Sequence, residues 1–212
     1  MMNSQVREYL VCLARNNIKN DSSHDFSHAY RVLKMCEYLA GKEGGDLEIL
    51  IPAALFHDYV VYPKNSEQSS KSAADSARKA QEVLNSIKNY PREKIAEVVK
   101  CIEECSFSSG KEAGSQESKV LQDAGRIEET GAISIMRTFA SAGFMDTKFY
   151  NTEDPFCEIR MPNPKLYALD LFYDRLLVVV DQMNTKTAKQ VALDRSKILY
   201  DFLENLKLEI DF

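Results

Sequence analysis

Hydrophobic residues recur along this chain three and four positions apart, which is the spacing of one face of an α-helix. Nearly every periodic segment has this spacing rather than the alternation that is typical of a β-strand. The apolar positions predict helices over Val6 to Ile18, Ala29 to Ala40, 47–56, Ala73 to Ile87, Ile95 to Ile102, Val120 to Ile127, Ile133 to Phe139, Leu169 to Val180 and Val191 to Leu206. The fold class is therefore predicted to be all-α.

Local signals refine two of these helices. Ser22 and Asp25 form a capping box before the second helix, and Gly44 lies beyond its end. Residues 47–56 are apolar almost all round, which predicts a helix buried in the middle of the domain rather than on its surface. Pro52 lies inside that segment, and because an interior proline removes a helical hydrogen bond, we expect a kink or a helix start near it.

Three stretches lack helical periodicity. Tyr59 to Ser70 is predicted to be a loop, and the polar stretch from Ser106 to Glu117 a flexible one. Residues 143–163 contain glycine, asparagine and two prolines, and they are predicted to be irregular over a length that is often functional. No internal repeat or linker divides the chain, so a single domain is predicted.

Composition excludes several classes of protein. The 212 residues suit one domain with a sizeable core. The 27 Lys and Arg against 32 Asp and Glu give a net charge of -5 without a basic tract, which argues against a nucleic-acid duplex as partner. No apolar run approaches the ~20 residues that cross a bilayer, so a membrane protein is excluded.

The five cysteines are odd in number and scattered, and no charged-then-apolar leader is found, which together indicate reduced thiols in a cytoplasmic protein. Cys101 and Cys105 lie one helical turn apart, but no second Cys or His pair accompanies them. Core positions are therefore favoured over a structural zinc site.

Two polar residues directly follow the buried segment 47–56. His57 and Asp58 are delivered out of an apolar helix, and each needs a partner because burying an unpaired polar or charged group is unfavourable. At the end of a helix, both side chains can converge on one ion. The alternative is a helix-terminal aspartate beside a hydrogen-bonded core histidine.

Asp123 lies three positions after Val120 and four before Ile127, so it faces the inward side of the sixth helix. A carboxylate in that position must be paired, protonated or bound to a metal. An ion pair with Arg126, one turn away, and a metal ion both satisfy this requirement.

His28 lies beside the apolar stripe of the second helix, one turn before Val32, and His24 lies one turn earlier on the same face. A histidine pair at this spacing is either a two-ligand face or a pair of solvated or capping side chains. Two imidazoles and two carboxylates from three helices suit a divalent ion such as Mn, Fe, Co, Ni, Zn or Mg, with positions left for water and substrate.

This pattern resembles the HD superfamily of metal-dependent phosphohydrolases, whose signature is H…HD…D on an all-α bundle, and within it a small single-domain bacterial branch. The HD dipeptide alone is a weak signal, whereas the combination of stretches is specific. The resemblance rests on SHDFSHAYRV (23–32), AALFHDYVVYPKNS (53–66), SFSSG (106–110), KVLQDAGRIEETGAISIMRTF (119–139) and YALDLFYDRLL (167–177). It implies one HD domain over residues 1–212, with the metal-site region at about 20–140 and C-terminal helices at 163–208 packing on it.

Site residues follow from the resemblance position by position. It implies that one divalent metal is bound by His28, His57, Asp58 and Asp123. It implies substrate-binding contacts at His24, Asn65 and Arg126, and catalytic ones at Asp25, Arg31, Asp58 and Lys64. The chain departs from the branch at Gly125, where the usual DADRLD is replaced by DAGRIE. The departure leaves Asp123 in place but puts in doubt any role of the missing carboxylate.

The implied activity is hydrolysis of a phosphate ester or phosphoanhydride in a small phosphorylated substrate such as a nucleotide. A metal-bound water would attack, oriented by Asp58 or Asp25. Arg31, Lys64 and Arg126 would offset the charge that develops on the phosphate.

Two other functions fit parts of the same pattern. A non-catalytic HD-fold protein that senses or binds a nucleotide is favoured by the Gly125 departure and disfavoured by the four intact ligands. A di-iron oxygenase would need further histidines before Asp123, and none follows His57. With only three histidines in the chain, a mononuclear centre is favoured. The amphipathic terminal helices are compatible with a homodimer.

Overall fold

The computed structural model describes residues 2–18, 25–62, 66–105 and 111–210. Within these ranges the α-helices are α1 (Ser4–Asn17), α2 (Phe26–Glu43), α3 (Leu47–Phe56), α4 (Ser72–Ser86), α5 (Ile95–Glu104), α6 (Gln116–Ile127), α7 (Gly131–Met145) and α8 (Lys186–Ile210). The β pairing found there is one isolated bridge between Lys148 and Tyr167. The all-α prediction is confirmed. The predicted site residues His24, Lys64 and Asn65 lie outside the described residues.

The chain divides into two compact units, Met1–Gly125 and Arg126–Phe212; the single domain expected over 1–212 stays a prediction. No helix in the described ranges is both long and apolar enough to span a membrane.

Helix α3 forms the centre of the first unit, where it contacts α1, α2, α4 and α5. Every residue from Ile49 to Phe56 is buried, which confirms the helix expected from the apolar segment. Fully burying one large aliphatic or aromatic side chain contributes roughly 1.5–3 kcal/mol, so this segment is a major source of stability. It also fixes the place at which His57 leaves the core.

The structure accommodates Pro52 inside α3 rather than starting the helix there. Helix α3 begins at Leu47, where the Asp46 carboxylate accepts a hydrogen bond from the Glu48 N–H at 2.8 Å. Proline has no N–H to donate to the Glu48 carbonyl four residues earlier. The buried Tyr90 hydroxyl donates to that carbonyl instead, at 2.7 Å. A side chain from outside the helix therefore replaces the missing hydrogen bond.

Replacing Tyr90 with phenylalanine should destabilise the first unit by about 1–3 kcal/mol, because the Glu48 carbonyl loses its donor in a buried place. Chemical denaturation would measure the loss. Tyr38→Phe, on the exposed face of α2, is the matched control and should leave the free energy of unfolding unchanged. Equal stability of the two variants would contradict this account of Pro52.

Two predictions about helix boundaries are wrong. Helix α2 starts at Phe26 with Asp25 as the N-cap residue, so Asp25 is not at the third helical position that a capping box would give it. Ser22 lies outside the described residues. The long helix predicted from Leu169 to Val180 is broken into a π-helical turn at Phe172–Leu176 and a 3-10 turn at Val179–Gln182.

Helix α7 buries its small residues more deeply than its large apolar ones, although Phe139 packs against the core rings of Phe172 and Phe202. Met136 is 68% exposed, and the buried residues are Gly131, Ser134, Thr138 and Ala142. Helix α7 packs against α8, and at Gly131, whose φ is 75°, a Cβ would lie 3.2 Å from the Arg195 Cβ. Close approach of the two helices thus selects small residues where hydrophobicity alone would have placed large ones.

The second unit also contains the expected irregular stretch, which begins after α7 ends at Met145. Its chain is fixed by Arg160, which donates to both carboxylate oxygens of the fully buried Asp170, at 2.5 and 2.7 Å, and to the Asp154 carbonyl. Burial would raise the pKa of Asp170, but the hydrogen bond from Arg160 and further hydrogen bonds hold that pKa below its ordinary value. An ion pair, rather than regular secondary structure, holds this segment in place.

Candidate metal centre

His57 is the C-cap residue of α3, and its ring is oriented by the backbone of its own helix. Its Nδ1 lies 2.8 Å from the Ala54 carbonyl oxygen. Because a carbonyl oxygen only accepts hydrogen bonds, this contact requires a proton on Nδ1 and leaves the lone pair of the neutral ring on Nε2. Metal-binding histidines are commonly held in this way, with one nitrogen bonded to a carbonyl and the other aimed at the ion.

Three potential ligand atoms converge beside this ring. The His57 Nε2 lies 3.3 Å from the His28 Nε2 and 3.4 Å from the Asp58 Oδ2, and the last two atoms are 3.6 Å apart. A point equidistant from the three atoms lies about 2.0 Å from each, which is the length of a bond from zinc to nitrogen or oxygen. The donor set and its spacing therefore fit a small divalent ion.

His28 is positioned by the start of α2. It is buried with Ala29 on the inward face of the helix, and its backbone N–H donates to the Asp25 Oδ1 at 2.8 Å. The Asp25 carboxylate thus caps the first turn of the helix that carries His28. The catalytic role predicted for Asp25 stays a prediction, and the structure adds this local function.

Asp123 is fully buried on α6, together with Val120, Ala124 and Ile127. Among the described residues, the potential ligand atoms of His28, His57 and Asp58 all lie within 4.8 Å of one another. Asp123 is not part of this tight cluster. Its charge nevertheless acts on α2, the helix of His28. The pKa of Cys36 is raised chiefly by burial, and Asp123 adds to the increase.

Two of the basic residues predicted to contact the phosphate, Arg31 and Arg126, lie within the described residues. Arg31 lies one helical turn after His28 on α2 and is partly buried. Arg126 donates from its guanidinium to the Gln182 carbonyl at 2.7 Å, within the second unit. The roles in phosphate binding predicted for both residues stay predictions.

Gly125 lies two positions after Asp123, which is about 200° around the helix. A carboxylate at that position would therefore leave α6 on the side opposite to Asp123. A Cβ built at Gly125 meets no atom within 4 Å, so a larger side chain fits there. The departure from the DADRLD pattern leaves the arrangement of the four predicted ligands unaffected.

Two variants at this position separate helix stability from metal binding. Gly125→Ala should stabilise the protein by roughly 0.5–1 kcal/mol, because glycine in a helix interior loses more backbone entropy on folding. Gly125→Asp should leave the affinity for a divalent ion unchanged in a calorimetric titration. A change of about threefold or more in that affinity would place position 125 in the site.

Two residues near the site were missed from the sequence. The Gln122 side chain donates to the Glu104 carbonyl at 2.7 Å and to the Lys111 carbonyl at 3.0 Å. These two hydrogen bonds connect α6 to the end of α5 and to Lys111. Cys105 follows α5, and its pKa is raised by burial first and then by the charge of Asp58. Hydrophobic periodicity gives no signal for either contact, since both depend on distant parts of the chain.

Comparison with known proteins shows the family to which the chain is similar. A model of the HD domain matches residues 25–130. The uncharacterized protein YpgQ of Bacillus subtilis is 30% identical over 196 residues, which cover 89% of this chain and 85% of the relative. The crystal structure of YpgQ in complex with ADP superposes with a TM-score of 0.72 at 27% identity, over 96% of this chain and 97% of that one. An HD-superfamily hydrolase from Bacillus thuringiensis has a TM-score of 0.72 at 30% identity, over 98% and 97%.

Proposed function

The chain belongs to the HD-domain family, and from that premise we propose that it is a metal-dependent phosphohydrolase. In this proposal one divalent ion is held by His28, His57, Asp58 and Asp123, and the substrate is a phosphate ester or anhydride of a small molecule such as a nucleotide. The convergence of two imidazole nitrogens and one carboxylate oxygen is the observation that carries the proposal. When bound, the ion would lower the pKa of a coordinated water and polarise a phosphoryl oxygen.

The protein's own residues orient the proposed metal ligands and leave one side of the centre open to solvent. The Ala54 carbonyl holds the His57 ring in one tautomer, and the Asp25 cap holds the start of the helix that bears His28. Both imidazoles are buried, whereas the Asp58 side chain is 30% exposed. Solvent therefore reaches the centre from the carboxylate side, and Asp58 is placed to orient a water as well as to bind the ion.

We propose a nucleotide as the substrate class because of the ligand that a similar protein binds, and the charge of the chain indicates how an anionic ligand would be held. The similar protein YpgQ has been crystallised with ADP. The chain carries a net charge of -5, so an anionic substrate needs local positive charge, which the ion and Arg31 would supply. Lys64, Asn65 and His24 would add contacts to the phosphates.

The test is a hydrolysis screen on protein stripped with a chelator and reloaded with Mn, Co, Ni, Zn, Fe or Mg. Nucleoside mono-, di- and triphosphates and simple phosphomonoesters are offered, and chromatography identifies the products. We expect turnover with at least one ion, and loss of both turnover and bound metal in Asp123→Ala. Absence of turnover with every ion, while Asp123→Ala retains its metal, would overturn the proposal. Thermal stabilisation by a nucleotide without product would indicate a sensor instead.

A further inference from the structure

The chain that carries Asp58 leaves regular structure directly after α3. Helix α3 ends at Phe56, and the Tyr59 N–H turns back to the Phe56 carbonyl at 3.1 Å. Residues 59–62 belong to no helix or strand. An irregular segment keeps one conformation only if other parts of the protein satisfy its backbone groups. The position of the Asp58 carboxylate therefore depends on what holds the residues that follow it.

Ser76 of α4 holds one of these residues at both of its backbone groups. The Ser76 hydroxyl accepts the Val60 N–H at 2.9 Å and donates to the Val60 carbonyl at 3.2 Å. Ser76 is fully buried, together with Ala77, Ala80 and Leu84 of the same helix. A hydroxyl in such apolar surroundings is unfavourable unless it is hydrogen-bonded. Val60 supplies both a donor and an acceptor, which explains a serine at this position.

A second residue of the segment is held by the same turn of α4. The Tyr62 N–H donates to the Ser72 hydroxyl oxygen at 3.2 Å, and the Tyr62 hydroxyl donates to the Asp75 Oδ2 at 2.8 Å. Ser72, Asp75 and Ser76 are spaced i, i+3 and i+4, so their side chains share one face of the helix. These three residues are called the α4 clasp. The clasp fixes the chain two and four positions after Asp58.

We propose that Ser76 is a positioning residue for the metal centre, an inference that rests on the proposed binding of an ion by Asp58. By fixing Val60, Ser76 holds the preceding turn so that the Asp58 Oδ2 stays 3.4 and 3.6 Å from the two imidazole nitrogens. The imidazoles have supports of their own in the Ala54 carbonyl and the Asp25 cap. The α4 clasp supplies the corresponding support for the carboxylate.

Loss of this support should weaken metal binding in addition to stability. A metal site needs its ligands held to within about 0.5 Å, and removing groups that support ligands lowers metal affinity by about 10–100-fold. Without the Ser76 hydroxyl, the Val60 N–H and carbonyl lose these hydrogen bonds and the turn relaxes. The Asp58 side chain is 30% exposed, so it has room to move toward solvent and away from the ion.

Titration with Co²⁺ tests the proposal, because calorimetry gives the affinity and the visible absorption of the bound ion depends on its coordination geometry. We expect Ser76→Ala to lower the affinity for Co²⁺ by about 10-fold or more and to change the absorption spectrum of the loaded protein. Ser134→Ala is the matched control, because it removes a buried hydroxyl that donates to the Gly131 carbonyl at 2.8 Å within α7. Its Co²⁺ affinity and spectrum should equal those of the wild-type chain.

A second variant covers the case in which Ser76→Ala does not fold. Ser72→Ala removes one hydrogen bond to Tyr62 in a partly buried place, and it should weaken Co²⁺ binding by about threefold. Wild-type affinity and spectrum in folded Ser76→Ala would overturn the proposal, and so would wild-type affinity in Ser72→Ala if that variant alone folds. A wild-type chain that binds no Co²⁺ would overturn it as well.

Turnover is measured separately, so the positioning role and the proposed activity can fail independently. A wild-type chain that binds Co²⁺ but hydrolyses none of the offered phosphates would overturn the activity, whereas weaker Co²⁺ binding in Ser76→Ala would still support the positioning role. An active wild-type chain whose Ser76→Ala variant binds Co²⁺ equally well would overturn the positioning role alone.

Discussion

Asp58→Asn is expected to lower the affinity for the divalent ion by about 100-fold or more and to abolish measurable hydrolysis. Substitution of groups that only support metal ligands costs 10–100-fold, and Asp58 is proposed as a ligand itself. The Asp58 Oδ2 lies 3.4 and 3.6 Å from the two imidazole nitrogens. Asparagine has nearly the same shape as aspartate, so this substitution removes the negative charge of the cluster and leaves its packing in place. Metal titration by calorimetry and the hydrolysis screen give the two readouts.

Thermal shift separates a lost ligand from a damaged fold. An ion that binds only the folded state raises the melting temperature of wild-type protein, and this increase should vanish in Asp58→Asn. In excess chelator the two proteins should melt at similar temperatures, because replacing a partly exposed carboxylate with the amide of the same shape changes stability little. Asp201→Asn, which changes an exposed carboxylate on α8, should keep the full shift. An unchanged shift in Asp58→Asn would exclude Asp58 as a ligand.

Hydrophobic periodicity was sufficient to predict that several polar side chains would lie against the core. The apolar segment from Ile49 to Phe56 had to be buried on every side, so the polar pair that follows it had to emerge next to other helices. The inward position of Asp123 followed from the same argument. These predictions succeeded because burial of apolar surface is the largest favourable contribution to folding and is read directly from residue type.

Predictions failed where polar contacts or close packing decided the structure. Asp25 is itself the N-cap residue of α2, a position that sequence spacing leaves open among neighbouring polar residues. Helix α7 turned its small residues inward because α8 approaches at Gly131. The contacts of Gln122 and Arg160 join residues by hydrogen bonds that have no periodic signature. Such contacts require the three-dimensional arrangement to be known first.

Arg160→Ala is expected to destabilise the second unit by about 3–5 kcal/mol, which is the cost of leaving a buried charge without its partner. Asp170 is fully buried, and Arg160 donates to both of its carboxylate oxygens. Chemical denaturation measures the loss. Lys197→Ala removes the exposed ion pair with Asp194 and is the control, with a change within about 0.5 kcal/mol. A double variant, Arg160→Ala with Asp170→Asn, should recover part of the stability because the uncompensated charge is gone.

The acid dependence of stability gives the same ion pair a second, independent test. The pKa of Asp170 in the folded protein lies below its ordinary value, because hydrogen bonds led by that from Arg160 outweigh the effect of burial. Its stabilisation is therefore complete above the unfolded pKa of about 3.9 and is lost as the pH falls through the lower folded pKa. In Arg160→Ala, the hydrogen bonds from Asn163 and Cys157 remain but the largest opposition to burial is lost, so the pKa of Asp170 should rise. The variant should therefore be weakened at neutral pH and relieved by acid. Melting temperatures measured from pH 7 down to 3 should thus converge for the two proteins, and parallel curves would show that Asp170 does not depend on Arg160.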